Sequence, residues 1–165
     1  MKKKLVAVVL VIVALCAAYL WYANRAPQQI NRTVDELLEA VAHKNISLQT
    51  PAEVEKSLEK ILAAEIQVLG LSQMSSKPLA RSKIVQKVHT FHRLSSLCRF
   101  EEESRALKIA GKKAQAYRTT MVKVAAGPRF KSEERWHLSF DLEKSDRWRI
   151  TTIRAQKASE ASSGN

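Results

Sequence analysis

The sequence predicts an α+β protein: an N-terminal transmembrane helix, then three helices packed on a curved antiparallel sheet of about four strands. Three observations carry this prediction. An uncharged apolar run follows three lysines at the N-terminus. Apolar residues then recur at helical spacing up to about Phe91. Beyond Leu97 the apolar period changes to two, the repeat of a strand with one buried face.

The apolar run, Leu5 to Tyr22, has no charge, and its 18 residues would span about 27 Å as a helix, close to the thickness of a bilayer core. Tyr19, Trp21 and Tyr22 gather at its far end, where amphipathic rings favour the headgroup level. Lys2, Lys3 and Lys4 precede it, and the positive-inside rule puts that end in the cytoplasm. The expected layout is a cytoplasmic stub over 1–4, a transmembrane helix over 5–23, a linker over 24–31, an extracytoplasmic domain over 32–157 and a disordered tail over 158–165. The expected location is the inner (plasma) membrane, single-pass, with the domain periplasmic or extracellular. A cleaved signal peptide and a lipoprotein signal are the rival readings. Neither finds a good site: Cys16-Ala17-Ala18 is a poor cleavage box, and Leu15 is too large before the lipoprotein cysteine.

In the domain, Thr33 and Glu36 form a capping-box pattern ahead of Val34, Leu37, Leu38 and Val41. Thr50-Pro51-Ala52-Glu53 opens a second helix, carrying Val54, Leu58, Ile61, Leu62 and Leu69 and stopping near Gly70. A third starts around Pro78 to Ser82 and carries Ile84, Val85, Val88 and Phe91. Leu97 to Ala110 and Lys113 to Ala126 then meet at Gly111 as a hairpin. Arg135 to Glu143 alternates, with Trp136, Leu138, Phe140 and Leu142 on one face and Arg135, His137, Ser139 and Asp141 on the other. After a turn at Lys144-Ser145-Asp146, the strand over 147–157 sets Trp148 and Ile150 against Arg147 and Arg149.

The helix VDELLEAVAHKN, the hairpin LKIAGKKAQAYRTTMVKV and the closing pair RWHLSFDLEKSDRWRITTIRAQ together resemble the nuclear transport factor 2-like superfamily, the cystatin-like or cone-shaped α+β fold. The resemblance runs from about Thr33 to Ala155. It implies three helices closing a curved sheet around a conical interior. The fold hosts isomerases, dehydratases, transport adaptors and membrane-assembly proteins, so it does not by itself assign a function. In layout alone the chain resembles the bitopic assembly factors of type IV secretion machines.

The net charge of +12 falls to +9 once Lys2, Lys3 and Lys4 are set aside, a balance that attracts anions. There are two cysteines: Cys16 in the apolar run, and Cys98, expected to be a buried free thiol. No metalloprotease, zinc, dinucleotide, P-loop or nucleophile-elbow motif occurs. Catalytic, cofactor and metal residues are therefore not assigned, and no cofactor is expected. Enzymes of the resembled family use acids or histidines in the cone, but alternation turns Asp141 outward. His89 and His92 are a local pair with no third ligand. His92, Trp136 and Trp148 are the candidate pocket lining. Arg135, Arg147 and Arg149, opposite the tryptophans, are the candidate anionic-surface patch. Asn31-Arg32-Thr33 stands out only as a glycosylation pattern.

The expected partners are the lipid bilayer through the N-terminal helix, a protein partner or second copy in the membrane, and anionic lipid headgroups; nucleic acid is not expected. The reading is a non-enzymatic, membrane-anchored binding or scaffolding domain, in an envelope assembly. The alternative is a small-molecule binder or enzyme of the isomerase/dehydratase type.

Overall fold

The computed structural model describes residues 2–44, 50–70, 77–127 and 129–158; for 2–10, 17, 20–24 and 44 it describes the backbone alone. In chain order the elements are α1 (Lys2–Val41), β1 (His43–Lys44), α2 (Pro51–Ile61), β2 (Leu62–Leu69), β3 (Leu79–Ala80), α3 (Arg81–Leu94), β4 (Leu97–Ala110), β5 (Lys113–Ala126), β6 (Phe130–Lys144) and β7 (Trp148–Lys157). The strands form one sheet in the order β1-β4-β5-β6-β7-β2-β3. Every neighbouring pair is antiparallel except β2 and β7, which are parallel.

The expected fold class is corrected in two respects. The sheet has seven strands rather than about four, and it is mixed rather than purely antiparallel. The N-terminal part also differs. Residues 24–31, expected as a linker, lie inside α1, and Pro27 is within the helix. Among the described residues no helix is long and apolar enough to cross a membrane. The transmembrane helix over 5–23, and the anchored periplasmic layout built on it, are therefore not carried forward. Many of that segment's side chains lie outside the described residues; those of Val11, Ile12, Val13, Leu15 and Tyr19 are exposed. The tail over 159–165 also lies outside them.

From Ile30 onward α1 joins the domain. Ile30, Val34, Leu37 and Ala40 are buried at helical spacing against the sheet. The capping box at the start of α2 is present: Glu53 N–H donates to Thr50 Oγ1 (3.3 Å), and Thr50 N–H donates to Glu53 Oε2 (2.7 Å). Such a cap stabilises a helix by about 1 kcal/mol. α2 ends eight residues earlier than expected, because Leu62 to Leu69 form β2 beside β7. Leu62, Ile66 and Val68 are buried there. Leu62, Ile66 and Val68 lie on one face of the strand, yet their spacing also fits a helix face, which periodicity over so short a run cannot separate. Arg81 Nη1 donates to Glu59 O (3.2 Å) and Leu62 O (3.4 Å), so a residue far along the chain caps the end of α2.

The second half follows the expected alternation. β4 and β5 pair around Gly111, whose φ of 60° is left-handed. Along β6, Leu138, Phe140 and Leu142 are buried, facing the helices with Trp148 and Ile150 of β7. Cys98 is buried, and desolvation pushes its thiol pKa up to about 11.

Two glycines with positive φ give a paired test. A Cβ on Gly70 would overlap the carbonyl oxygen of Ala155, whereas one on Gly111 meets nothing within 4 Å. Gly111→Ala should cost about 1–2 kcal/mol, the backbone penalty alone. Gly70→Ala should cost clearly more, because β2 must move off β7. Denaturant unfolding of the two variants checks the order; equal losses would contradict the close approach.

Candidate functional site

β5 sends every second side chain toward the helices: Ala114, Ala116, Arg118 and Thr120 are all buried. Arg118 therefore lies on the inner face, in mid-strand, with only 2% of its surface exposed. Its Nη2 donates to Asn31 Oδ1 on α1 (2.7 Å) and lies 3.6 Å from Asp35 Oδ1, one turn further along that helix. Nη1 donates to the carbonyl of Tyr117 (3.1 Å). Nε sits 3.0 Å from Glu102 Oε2 on β4, an ion-pair contact without hydrogen-bond alignment. Glu102 also accepts from Arg105 Nε (2.6 Å).

A bulge makes this cluster. The β4–β5 register shifts between Glu102 and Ser104. Glu102 and Arg105, three residues apart, consequently pair with Thr120 and Arg118, both inward-facing. The Asp35 and Glu102 side chains keep 43% and 29% of their surfaces exposed, while that of Arg118 keeps none. The cluster thus lies at the edge of the interior with its cation sealed. It was not anticipated. Arg118 reads as one of many basic residues near the strands, yet it is in phase with the small residues Ala114 and Ala116, a signal that the position faces inward. Asn31 stood out only as a glycosylation pattern and instead holds the guanidinium.

The candidate pocket residues do not converge. Trp136 pairs in register with Lys157, and Trp148 with Lys144, at opposite ends of the β6–β7 pair. Trp148 is buried, while Trp136 is half-buried against the core. His92 is at the C-terminal end of α3. Its Nε2 donates to Val41 O (3.1 Å), and its ring lies 4.5 Å from that of His43. Among the described residues, no group of three or more His, Cys, Asp or Glu could hold a metal ion.

Nor do the candidate arginines form one patch. Arg149 is in register with Glu143, eight residues along β6 from Arg135, roughly 26 Å at the usual strand rise. Each is also neutralised locally. Arg135 Nε lies 2.9 Å from Glu103, while Arg147 and Arg149 share Asp146 at 3.1 and 3.3 Å. Hydrogen bonds from Ser145 and Arg147 hold the Asp146 carboxyl well below the usual carboxylate range. Asp141 faces outward as the alternation requires, accepting from Gln115 (3.0 Å) and pairing with Arg154 (2.7 Å).

Two surface depressions are open. One, about 560 Å³, lies at the Gly111 end of the sheet, lined by Lys108, Gln115, Asp141 and Thr151 among others. The other, about 590 Å³, is a groove between α1, α2 and the start of β7.

No protein-family model matches the sequence, and no characterised protein matches it. Solved structures do. A candidate dehydratase of the nuclear transport factor 2-like family from Streptomyces avermitilis superposes with a TM-score of 0.65 at 9% identity, covering 82% of this chain and 99% of that one. A protein of that family with a cystatin-like fold, from Novosphingobium aromaticivorans, gives 0.65 at 10%, over 88% and 90% of the two chains. Another from Cytophaga hutchinsonii gives 0.59 at 12%, over 78% and 95%. The fold is the nuclear transport factor 2-like, cystatin-like one. At these identities the likeness extends to the fold alone. Within this nuclear transport factor 2-like fold, Arg118 occupies the conical interior between α1 and the sheet.

Two tests follow from the buried groups. Glu102→Gln removes the nearest charge from a sealed guanidinium and should cost about 2–4 kcal/mol. Asp35→Asn, at the longer and more exposed contact, should cost under about 1 kcal/mol. Equilibrium unfolding checks the ranking; the reverse order would mean that Asp35 is the main counter-ion. The second test concerns His92, whose pKa is lowered chiefly by desolvation, with the neighbouring His43 and His89 acting in the same direction. The unfolded chain then binds the extra proton first. Stability from His92 is complete above its unfolded pKa, about 6.5, and is lost as pH falls through the lower folded value. Unfolding midpoints should therefore drop between about pH 7 and pH 5, and His92→Gln should flatten that drop; an unchanged slope would show that other groups cause it.

Proposed function

We propose that this domain is a non-catalytic binding module that works through its outer surfaces, with its cone interior filled by its own side chains. One observation carries the reading: Arg118 is sealed in the interior and engaged by Asn31, Asp35 and Glu102. Phe140, Leu138, Leu142 and Ile30 fill the space around the helices and sheet. A guanidinium with three polar partners is a costly group to uncover, because any ligand entering beside it must replace those contacts.

A second reading keeps the cone as a small-molecule site. Two part-exposed carboxylates, Asp35 and Glu102, converge on one cation, and a structural neighbour is named as a candidate dehydratase. Here Asp35 or Glu102 would serve as the acid or base once a ligand took over Arg118.

Apolar cavity probes separate the two readings. Xenon and benzene enter dry cavities when there is room for them. The full chain should show no saturable shift of the Leu138 and Phe140 resonances with either probe, whereas Arg118→Ala should show one. Saturable shifts at both residues in the unaltered protein would overturn the filled-interior reading and favour the small-molecule site.

A further inference from the structure

The groove between α1, α2 and β7 is lined by more cations than carboxylates. Arg32, Lys56, Lys60 and Arg147 line it against Glu36 and Glu53, an excess of two positive charges. Both carboxylates are already engaged. Glu36 pairs with Arg32 (2.9 Å), and Glu53 is held by the Thr50 backbone N–H, which lowers its pKa. Arg147 is engaged with Asp146. Lys56 and Lys60 have no ion-pair partner among the described residues. They are one turn apart on α2, with Ser57 beside them on the same lining. On the sheet, Lys113, Lys123, Arg135 and Arg154 pair with carboxylates.

Trp148 also lines the groove; it is 3% exposed, and its indole Nε1 is itself buried without a hydrogen-bond acceptor. The groove combines two ammonium groups without ion-pair partners and a hydroxyl, beside the apolar surfaces of Ile61 and Trp148. Its volume, about 590 Å³, is that of a small-molecule site, within the usual range of about 300–1,000 Å³.

We infer that this groove is a binding site for a small organic oxyanion, a carboxylate or phosphate ester on a compact apolar body. Lys56 and Lys60 supply the charge, Ser57 a hydroxyl, and Trp148 an apolar wall whose indole N–H signal reports occupancy. Lysine suits this task as a mobile point charge that reaches phosphate without a fixed geometry. The site deepens the binding-module reading and rests on it, but it shares no residue with the Arg118 cluster.

The test titrates the full chain with phenyl phosphate, with benzoate, and with benzyl alcohol as the uncharged control, following the Trp148 indole N–H by nuclear magnetic resonance. Trp148→Phe assigns that signal and keeps most of the ring's packing. One or both anions should shift it saturably and the alcohol should not; the tighter of the two identifies the phosphate or the carboxylate form. The double variant Lys56→Gln, Lys60→Gln alters only exposed side chains and should weaken binding by about tenfold or more, as loss of charge-assisted contacts requires. Trp148→Phe, followed by calorimetry, should weaken it by a smaller factor. The inference is overturned if neither anion moves the signal, if the double variant binds as tightly as the parent, or if the alcohol binds as well as the anions. Xenon and benzene report on Leu138 and Phe140, so the groove and the filled cone can fail separately.

Discussion

The buried guanidinium of Arg118 is the constraint around which the rest of the domain is arranged. A cation without solvent is tolerable only where counter-charges and acceptors reach it from several sides. Here they come from two elements. α1 supplies Asn31 and Asp35, one turn apart on a single face. β4 supplies Glu102, in phase with the buried Cys98 and just ahead of the bulge that brings Arg105 opposite Arg118. These contacts fix the rotation of α1 about its axis and its position along the sheet. The apolar stripe Ile30, Val34, Leu37 and Ala40 then packs in the only register those polar contacts leave. The apolar packing supplies most of the stabilisation; the guanidinium selects the arrangement.

The two halves of the chain were unequally legible. The period-two segments gave the β4–β5 hairpin, the inward side of β6 and β7, and the outward position of Asp141, because alternation is decided within a few residues and one face is fully buried. The cap at Thr50 was legible for a similar reason, being a local hydrogen-bonding pattern. Leu62 to Leu69 misled because Leu62, Ile66 and Val68 suit either a buried strand or a helix face. The capping of α2 by Arg81, nineteen residues or more away, and the parallel pairing with β7 lie beyond any local window. Arg118 was readable in principle, since the phase of Ala114 and Ala116 predicts it. The expectation that charge lies outside outweighed that phase. The proposed arginine patch does not form, because antiparallel pairing sends the start of β6 and the start of β7 to opposite ends and Arg147 lines the groove with Trp148.

Electrostatics divides the surface into two kinds. On the outer sheet, cross-strand ladders such as Arg99–Glu101–Lys123–Glu133 and Gln115–Asp141–Arg154 keep opposite charges adjacent. Such exposed pairs contribute little stability individually. The surplus positive charge of the domain belongs instead in part to the helices. α3 has no acidic residue, and Lys83, Lys87 and Arg93 on its exposed side have no ion-pair partner among the described residues. Lys56 and Lys60 on α2 are in the same condition. On the helices, then, Lys56, Lys60, Lys83, Lys87 and Arg93 are cations without an ion-pair partner among the described residues.

α1 connects the Arg118 cluster to the groove. Asn31 and Asp35 point into the cone, while Arg32, Thr33 and Glu36 wall the groove. One residue along a helix turns the side chain by about 100°, so these two sets occupy different faces of one rigid rod. A filled interior and an exposed groove are then consequences of the same packing rather than separate choices. The more firmly Arg118 holds α1 against the sheet, the better defined is the distance between α1, α2 and Trp148 on the other side. On the binding reading proposed above, recognition belongs to the outer side of α1, where Lys56 and Lys60 of α2 line the groove.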